Sequence, residues 1–161
     1  MRVSGRHTVA TGRAMLALLL LAGASCGSER GTDSGPYVEI SGQRVGIEIA
    51  DTREAQRRGL SGRKRLAWNR GLLFTYDEPG FYAFWMKEMH FDIDIIWIRD
   101  QRIVDIHHRV PKPDSSNGPL PEGQLPRYRP RELVNRVLEV PAGYAQTHGW
   151  RPGDWVEIET K

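Results

Sequence analysis

Residues 84–98, FWMKEMHFDIDIIWI, set imidazole and carboxylate side chains among aromatic and branched apolar ones. On a strand, residues two apart point the same way, so His90, Asp92 and Asp94 share one face and Phe91, Ile93, Ile95 and Trp97 the other. An imidazole and two carboxylates in a row could present three metal ligands, with His107 or His108 from a following strand completing the site. The same carboxyl groups, roughly 6 to 7 Å apart at a rise of about 3.3 Å per residue, overlap the spacing used by inverting glycosidases. Neither chemistry has a second mark. A half-buried strand produces such triplets unaided, and nothing in the sequence drives the two carboxyl pKa values apart, as an acid/base pair requires. No metal, cofactor or catalytic residue is assigned, and Asp92 and Asp94 read first as the polar side of a half-buried strand.

Just upstream, Lys87 and Glu88 interrupt an apolar run. Lys87 could anchor an acidic ligand or pair with Asp94, or its stem could cover Trp85 while the amine reaches water. Lys87, Glu88, His90, Asp92 and Asp94 together form the candidate ligand-binding surface. Of five tryptophans, Trp97 and Trp155 fall on apolar strand faces and are expected in the core, whereas Trp68 and Trp150 lie in loop-like contexts that could expose a platform. The cluster Arg57, Arg58, Arg63, Lys64, Arg65 and Arg70 could meet anionic head groups or simply be solvated. No Gly-x-Ser-x-Gly elbow and no glycine-rich phosphate loop after a strand occurs.

The elements that must position these residues follow from periodicity and punctuation. Residues 37–50, YVEISGQRVGIEIA, alternate on either side of Ser41 and Gly42 and read as a hairpin. A short helix follows, with Asp51 placed to cap it, Glu54 to reach back and Gly59 to end it. GLLFTY, FYAFWM and FDIDIIWI read as strands, the first two separated by DEPG as a turn, and RDQR turns the third into IVDIHH. Residues 109–132 carry six prolines and little apolar content and make a long surface loop. LVNRVLEV is a strand, PAGYAQTHG a short helix with Pro141 at its start and Gly149 past its end, and DWVEIET a last strand. The sum is an α+β domain: a mainly antiparallel β-sheet of about seven strands, barrel- or sandwich-like, with two short helices.

The first 25 residues read as an export signal. Arg2, Arg6 and Arg13 stand without acids before the apolar stretch AMLALLLLAGAS, which is too short for a span of about 20 residues. Cys26, the single cysteine, follows directly and is expected to carry a lipid; residues 26–36 are Gly- and Ser-rich and suit a flexible tether. Residues 37–161 then form one globular domain. The whole chain holds 23 Lys and Arg against 20 Asp and Glu, but three of those arginines sit in residues 1–25, leaving 20 against 20. That neutral balance argues against a nucleic-acid partner.

The ordered set RGL (58–60), GLLF (71–74), FWMK (84–87), DIDII (92–96), VLEV (137–140), AG (142–143) and GD (153–154) resembles the domain of unknown function 192 family, also called uncharacterised protein family 0127. The stretch around Cys26 resembles the lipobox of bacterial lipoproteins, with Gly23 where leucine is usual. The first resemblance implies a compact, mainly antiparallel domain, often exported in bacteria, and implies no activity. The reading it supports is a lipid-anchored extracytoplasmic binding or accessory domain of the cell envelope, held to the membrane through Cys26, with an unidentified envelope ligand or protein as partner. The alternatives are a hydrolase-like enzyme acting on envelope polysaccharide or peptidoglycan through the carboxylate and histidine surface, and a structural envelope protein without a ligand.

Overall fold

The computed structural model describes residues 35–114, 116, 118 and 120–161; residues 1–25, read above as an export signal, Cys26 and the expected tether up to residue 34 lie outside the described residues. β1 (Tyr37–Ile40) and β2 (Gln43–Ala50) form the expected hairpin, with Ser41 and Gly42 both at positive φ, 51° and 76°, in its two-residue turn. α1 (Arg53–Arg58) carries the chain across so that β3 (Arg70–Gly80) lies parallel to β2. A parallel neighbour needs such a crossover, and this pair makes the sheet mixed rather than wholly antiparallel.

β4 (Ile93–Arg99) and β5 (Arg102–Val110) form a second hairpin, and β6 (Val134–Pro141) inserts between β3 and β4. After α2 (Tyr144–Thr147), β7 (Val156–Glu159) returns beside β1, giving the order β5-β4-β6-β3-β2-β1-β7. The two edges meet at one end: the Ile103 N–H donates to the Asp154 carbonyl at 3.0 Å and the Val156 N–H to that of Gln101 at 2.8 Å. The sheet is therefore curled into a half-barrel, with two short helices, which decides between the barrel- and sandwich-like forms left open by the sequence.

Several local expectations are corrected. DEPG is not a turn but the end of β3, and FYAFWM is not a strand. β2 stops opposite Phe74, so beyond it β3 has a free edge where Pro79 removes no ladder bond. Residues 81–92 leave the sheet, and Phe84 makes only an isolated bridge to Tyr128. Thr52, not Asp51, caps α1, its Oγ1 accepting the Ala55 N–H at 3.2 Å. Pro141 belongs to β6, and α2 begins after Gly143.

The tryptophans also exchange places. Trp150 is buried and donates its indole N–H to the Ile40 carbonyl at 3.2 Å, whereas Trp155 is 52% exposed beneath the Arg102 guanidinium. Val156 takes the inward position on β7, which turns its neighbour outward.

Both faces of the sheet are covered. On one, Ile96, Ile98, Leu138 and Val140 pack with residues of β1, β2, β7 and α2; on the other, Leu72, Phe74, Ile93, Ile95, Trp97 and Val137 pack beneath Leu60, Phe84, Met86 and Met89. Every residue of β4 from Ile93 to Ile98 is buried as a result. Gly71 allows β3 its close approach to β6, since a Cβ there would lie 2.9 Å from the Glu139 carbonyl oxygen.

Candidate functional site

The structure does not bring the five sequence-derived site residues into one surface. Asp94 is fully buried on the α2 side of β4. Its Oδ1 accepts the backbone N–H groups of Arg109 at 2.7 Å and Gly143 at 2.9 Å, and its Oδ2 accepts that of Ala145 at 2.9 Å. The wet face expected at this position is thus a dry one, with its single carboxyl group satisfied by backbone. Asp92 is exposed and accepts the Lys112 N–H at 2.9 Å. Lys87 meets Glu122 at 3.2 Å and stands over the Trp85 ring, so it pairs with a residue of the long loop and not with Asp94. Glu88 is exposed at φ 55°, its carbonyl accepting the Gly62 N–H at 2.9 Å, and His90 is exposed beside it.

His107 stands opposite Ile95 in the β4–β5 ladder, so it projects from the face away from Asp94. Its Nδ1 accepts the Trp97 indole N–H at 2.6 Å, which requires that nitrogen to be unprotonated. Burial lowers the His107 pKa, with Asp105 opposing, which favours the same state. Among the described residues no three His, Cys, Asp or Glu side chains form a group that could hold a metal ion.

The concave site lies elsewhere, beneath the FWMK segment. That segment is fastened on both sides: the Ser61 hydroxyl donates to the Lys87 carbonyl at 2.8 Å, and Phe84 and Tyr128 exchange backbone bonds of 2.9 and 2.8 Å. It therefore forms a wall over β3 and β6, and a cleft with about 420 Å³ of space, part of it open solvent, remains between this wall and α1. Leu60, Phe74, Phe84, Trp85 and Met89 supply apolar lining, Gln56 and Arg57 come from α1, and Tyr76 and Glu139 come from the sheet.

Glu139 is the unusual group. Its Cα partners are Leu72 on β3 and Ile95 on β4, so it rises from the middle of the sheet and is only 5% exposed. Among the described residues its Oε2 has no hydrogen-bond partner. Burial pushes the carboxyl pKa up to about 8, with Arg63 opposing, so Glu139 is largely protonated at neutral pH. Tyr76, stacked on Tyr82 with ring centroids 3.5 Å apart, has its phenol pKa raised by burial and by the proximity of Tyr82 and Glu139. A neutral acid among aromatic and aliphatic walls can donate one hydrogen bond and accept others.

Sequence reasoning missed Glu139. The one available signal was an acid flanked by apolar residues in VLEV, on a strand whose neighbours are also apolar.

The fold and cleft define a mixed half-barrel domain carrying one buried acid beneath a fastened aromatic segment. The profile of the family described as DUF192, uncharacterized ACR, matches residues 37–158, and the chain belongs to that family. Among solved structures it is similar to a protein of unknown function from Novosphingobium aromaticivorans DSM 12444, at 28% identity and TM-score 0.66 over 75% of this chain and 83% of that one. It is also similar to a protein from Sinorhizobium meliloti 1021 described as a candidate transcription regulator, at 28% identity and TM-score 0.64 over 76% of this chain and 92% of that one. No curated protein matches the chain. The family brings no established activity.

Proposed function

We propose that this chain is a ligand-binding module of the cell envelope, exported and tethered by a lipid on Cys26, which takes its ligand in the cleft beneath Trp85 rather than on the outer face of β4. The observation that carries the binding reading is the Glu139 carboxyl, buried with one oxygen unpartnered at the inner end of an aromatic-walled cleft. Leaving such a group unsatisfied costs about 1–3 kcal/mol, and groups of this kind cluster where a ligand completes them. The export reading is supported by Arg2, Arg6 and Arg13 ahead of the apolar stretch and by the small residues before Cys26. Nucleic acid is not proposed as a partner, because residues 26–161 are formally neutral.

The hydrolase alternative has less support. It requires paired carboxylates, and among the described residues Glu139 is the only acid lining the cleft, while both oxygens of Asp94 are taken by backbone N–H groups.

A fragment screen on the full chain, read by amide and indole NMR shifts, tests the binding reading. Hits should move Trp85, Ala83 and the neighbours of Glu139, and Ala83→Trp, which fills the cleft from an exposed position, should abolish them. Hits scattered over the surface, or unaffected by that substitution, would discard the reading.

A further inference from the structure

The cleft continues outward into a more open space of about 590 Å³, lined by Arg53, Gln56, Arg57, Ala83, Trp85 and Arg127. The inner and outer parts share Gln56, Arg57, Ala83 and Trp85, so they adjoin, with Glu139 at the inner side.

The charge along this path is uneven. Arg53, Arg57 and Arg127 line the outer part, which no acid lines, and among the described residues none of the three makes an ion pair. Elsewhere on the surface arginines do find carboxylates: Arg44 with Glu39, Arg63 with Glu48, Arg131 with Asp105 and Arg151 with Asp154. Arg127 is held with its guanidinium 3.9 Å from the centroid of the Trp85 ring, which fixes a cation at the mouth beside an aromatic surface. The three arginines are exposed and line one open mouth without a carboxylate among them, which makes that mouth a positive patch that attracts anions. Their forked donors also match carboxylate and phosphate oxygens.

We infer that the cleft takes a small organic anion: its acid group is held at the mouth by Arg53, Arg57 and Arg127, its apolar body lies along Trp85, and an uncharged polar group turns inward to Glu139. This rests on the binding reading above and narrows it to a ligand class. At the inner end Glu139 is enclosed by Leu60, Phe74, Phe84 and Met89, apolar walls that disfavour a second charged group there. Length and polarity then set the ligand's direction, with its acid outermost.

The test uses the full chain and four probes that share one ring: benzoate, phenyl phosphate, benzyl alcohol and benzylammonium. Benzoate and phenyl phosphate should shift the Trp85 indole N–H with at least tenfold tighter binding than benzyl alcohol, and benzylammonium should bind weakest. The double variant Arg57→Gln, Arg127→Gln should erase that tenfold preference without weakening benzyl alcohol. Glu139→Gln should retain it. Tightest binding by benzylammonium would overturn the anion class while leaving the cleft a binding site. Equal loss from Arg129→Gln, outside the cleft, would reduce the preference to general surface charge and overturn the inference. Silence of the cleft to all four probes would overturn it as well, and the fragment screen separately decides whether the cleft binds anything.

Discussion

Asp94 on β4 and Ala145 on α2, separated by 51 residues, are joined by a 2.9 Å bond from the Ala145 N–H to Oδ2. With the bond from Gly143, the carboxylate satisfies two N–H groups at the start of a four-residue helix whose own Gly143 cap has no side chain to offer. The third bond, from Arg109, holds the end of β5, where Arg109 adopts φ 49°. Asp94 is thus a capping residue supplied from across the fold.

Substitution of Asp94 should therefore unfold the domain rather than alter a surface. Asp94→Ala leaves three backbone N–H groups without their acceptor, two of them buried, and should lose about 3 kcal/mol or more in denaturant titration, since each buried group left unsatisfied costs about 1–3 kcal/mol. Asp94→Asn, which keeps one acceptor oxygen, should lose less. A loss under about 1 kcal/mol for Asp94→Ala would show that the carboxylate is not a structural anchor.

Lys87 presents the contrasting case. Its pair with Glu122 at 3.2 Å lies between side chains that are 42% and 53% exposed, and exposed pairs contribute about 0–1 kcal/mol. Lys87→Ala and Glu122→Ala should each shift stability by no more than that, and the double variant should equal their sum to within a few tenths. A loss above about 2 kcal/mol would mean that Lys87 has a buried partner in solution.

Stability should fall as pH rises from about 4.5 to about 8, through Glu139. Its folded-state pKa is raised by burial from 4.5 to about 8, so the folded state holds the proton more tightly than the unfolded one. The stabilisation is complete below the unfolded pKa and is lost as pH climbs through the folded one, at a slope approaching roughly 1.4 kcal/mol per unit. The charged and titratable groups around it are Arg63, Tyr76, Arg57 and Arg58, of which Arg63 softens the slope. Glu139→Gln should flatten this dependence and be more stable than the parent at pH 9. A parallel pH profile for the two proteins would remove Glu139 from the account.

His107 acts in the opposite direction. Its folded pKa is depressed by burial, so stability present above the ordinary value near 6.5 should decline as pH falls below it, when the acceptor for Trp97 is lost. His107→Gln should weaken that acid limb in denaturation curves measured between pH 7 and 5. An unchanged limb would assign it to other groups.

The proposed lipid anchor has its own readout. Palmitate should label the full chain in a bacterial host and should not label Cys26→Ser, which should pass into the soluble fraction. Labelling that survives the substitution would end the lipoprotein proposal.

Alternation by itself located the two hairpins, the strand carrying DIDII and the strand carrying VLEV, because a sheet residue's facing direction is a local property of the backbone. What it could not decide was whether a face was wet. Asp94 looked solvated because polar residues on a strand usually are, yet α2 and the end of β5 cover that face, and they reach it from 15 to 51 residues away. Glu139 looked ordinary for the converse reason: one acid in VLEV says nothing of a wall built by residues 84–89 and fastened through Ser61 and Tyr128. The phase of Trp155 and the parallel placing of β2 beside β3 were likewise settled by which strands became neighbours. Sequence fixes direction and spacing along each element, whereas burial depends on what packs against it from far along the chain, and the chemistry of both acids is set by that burial.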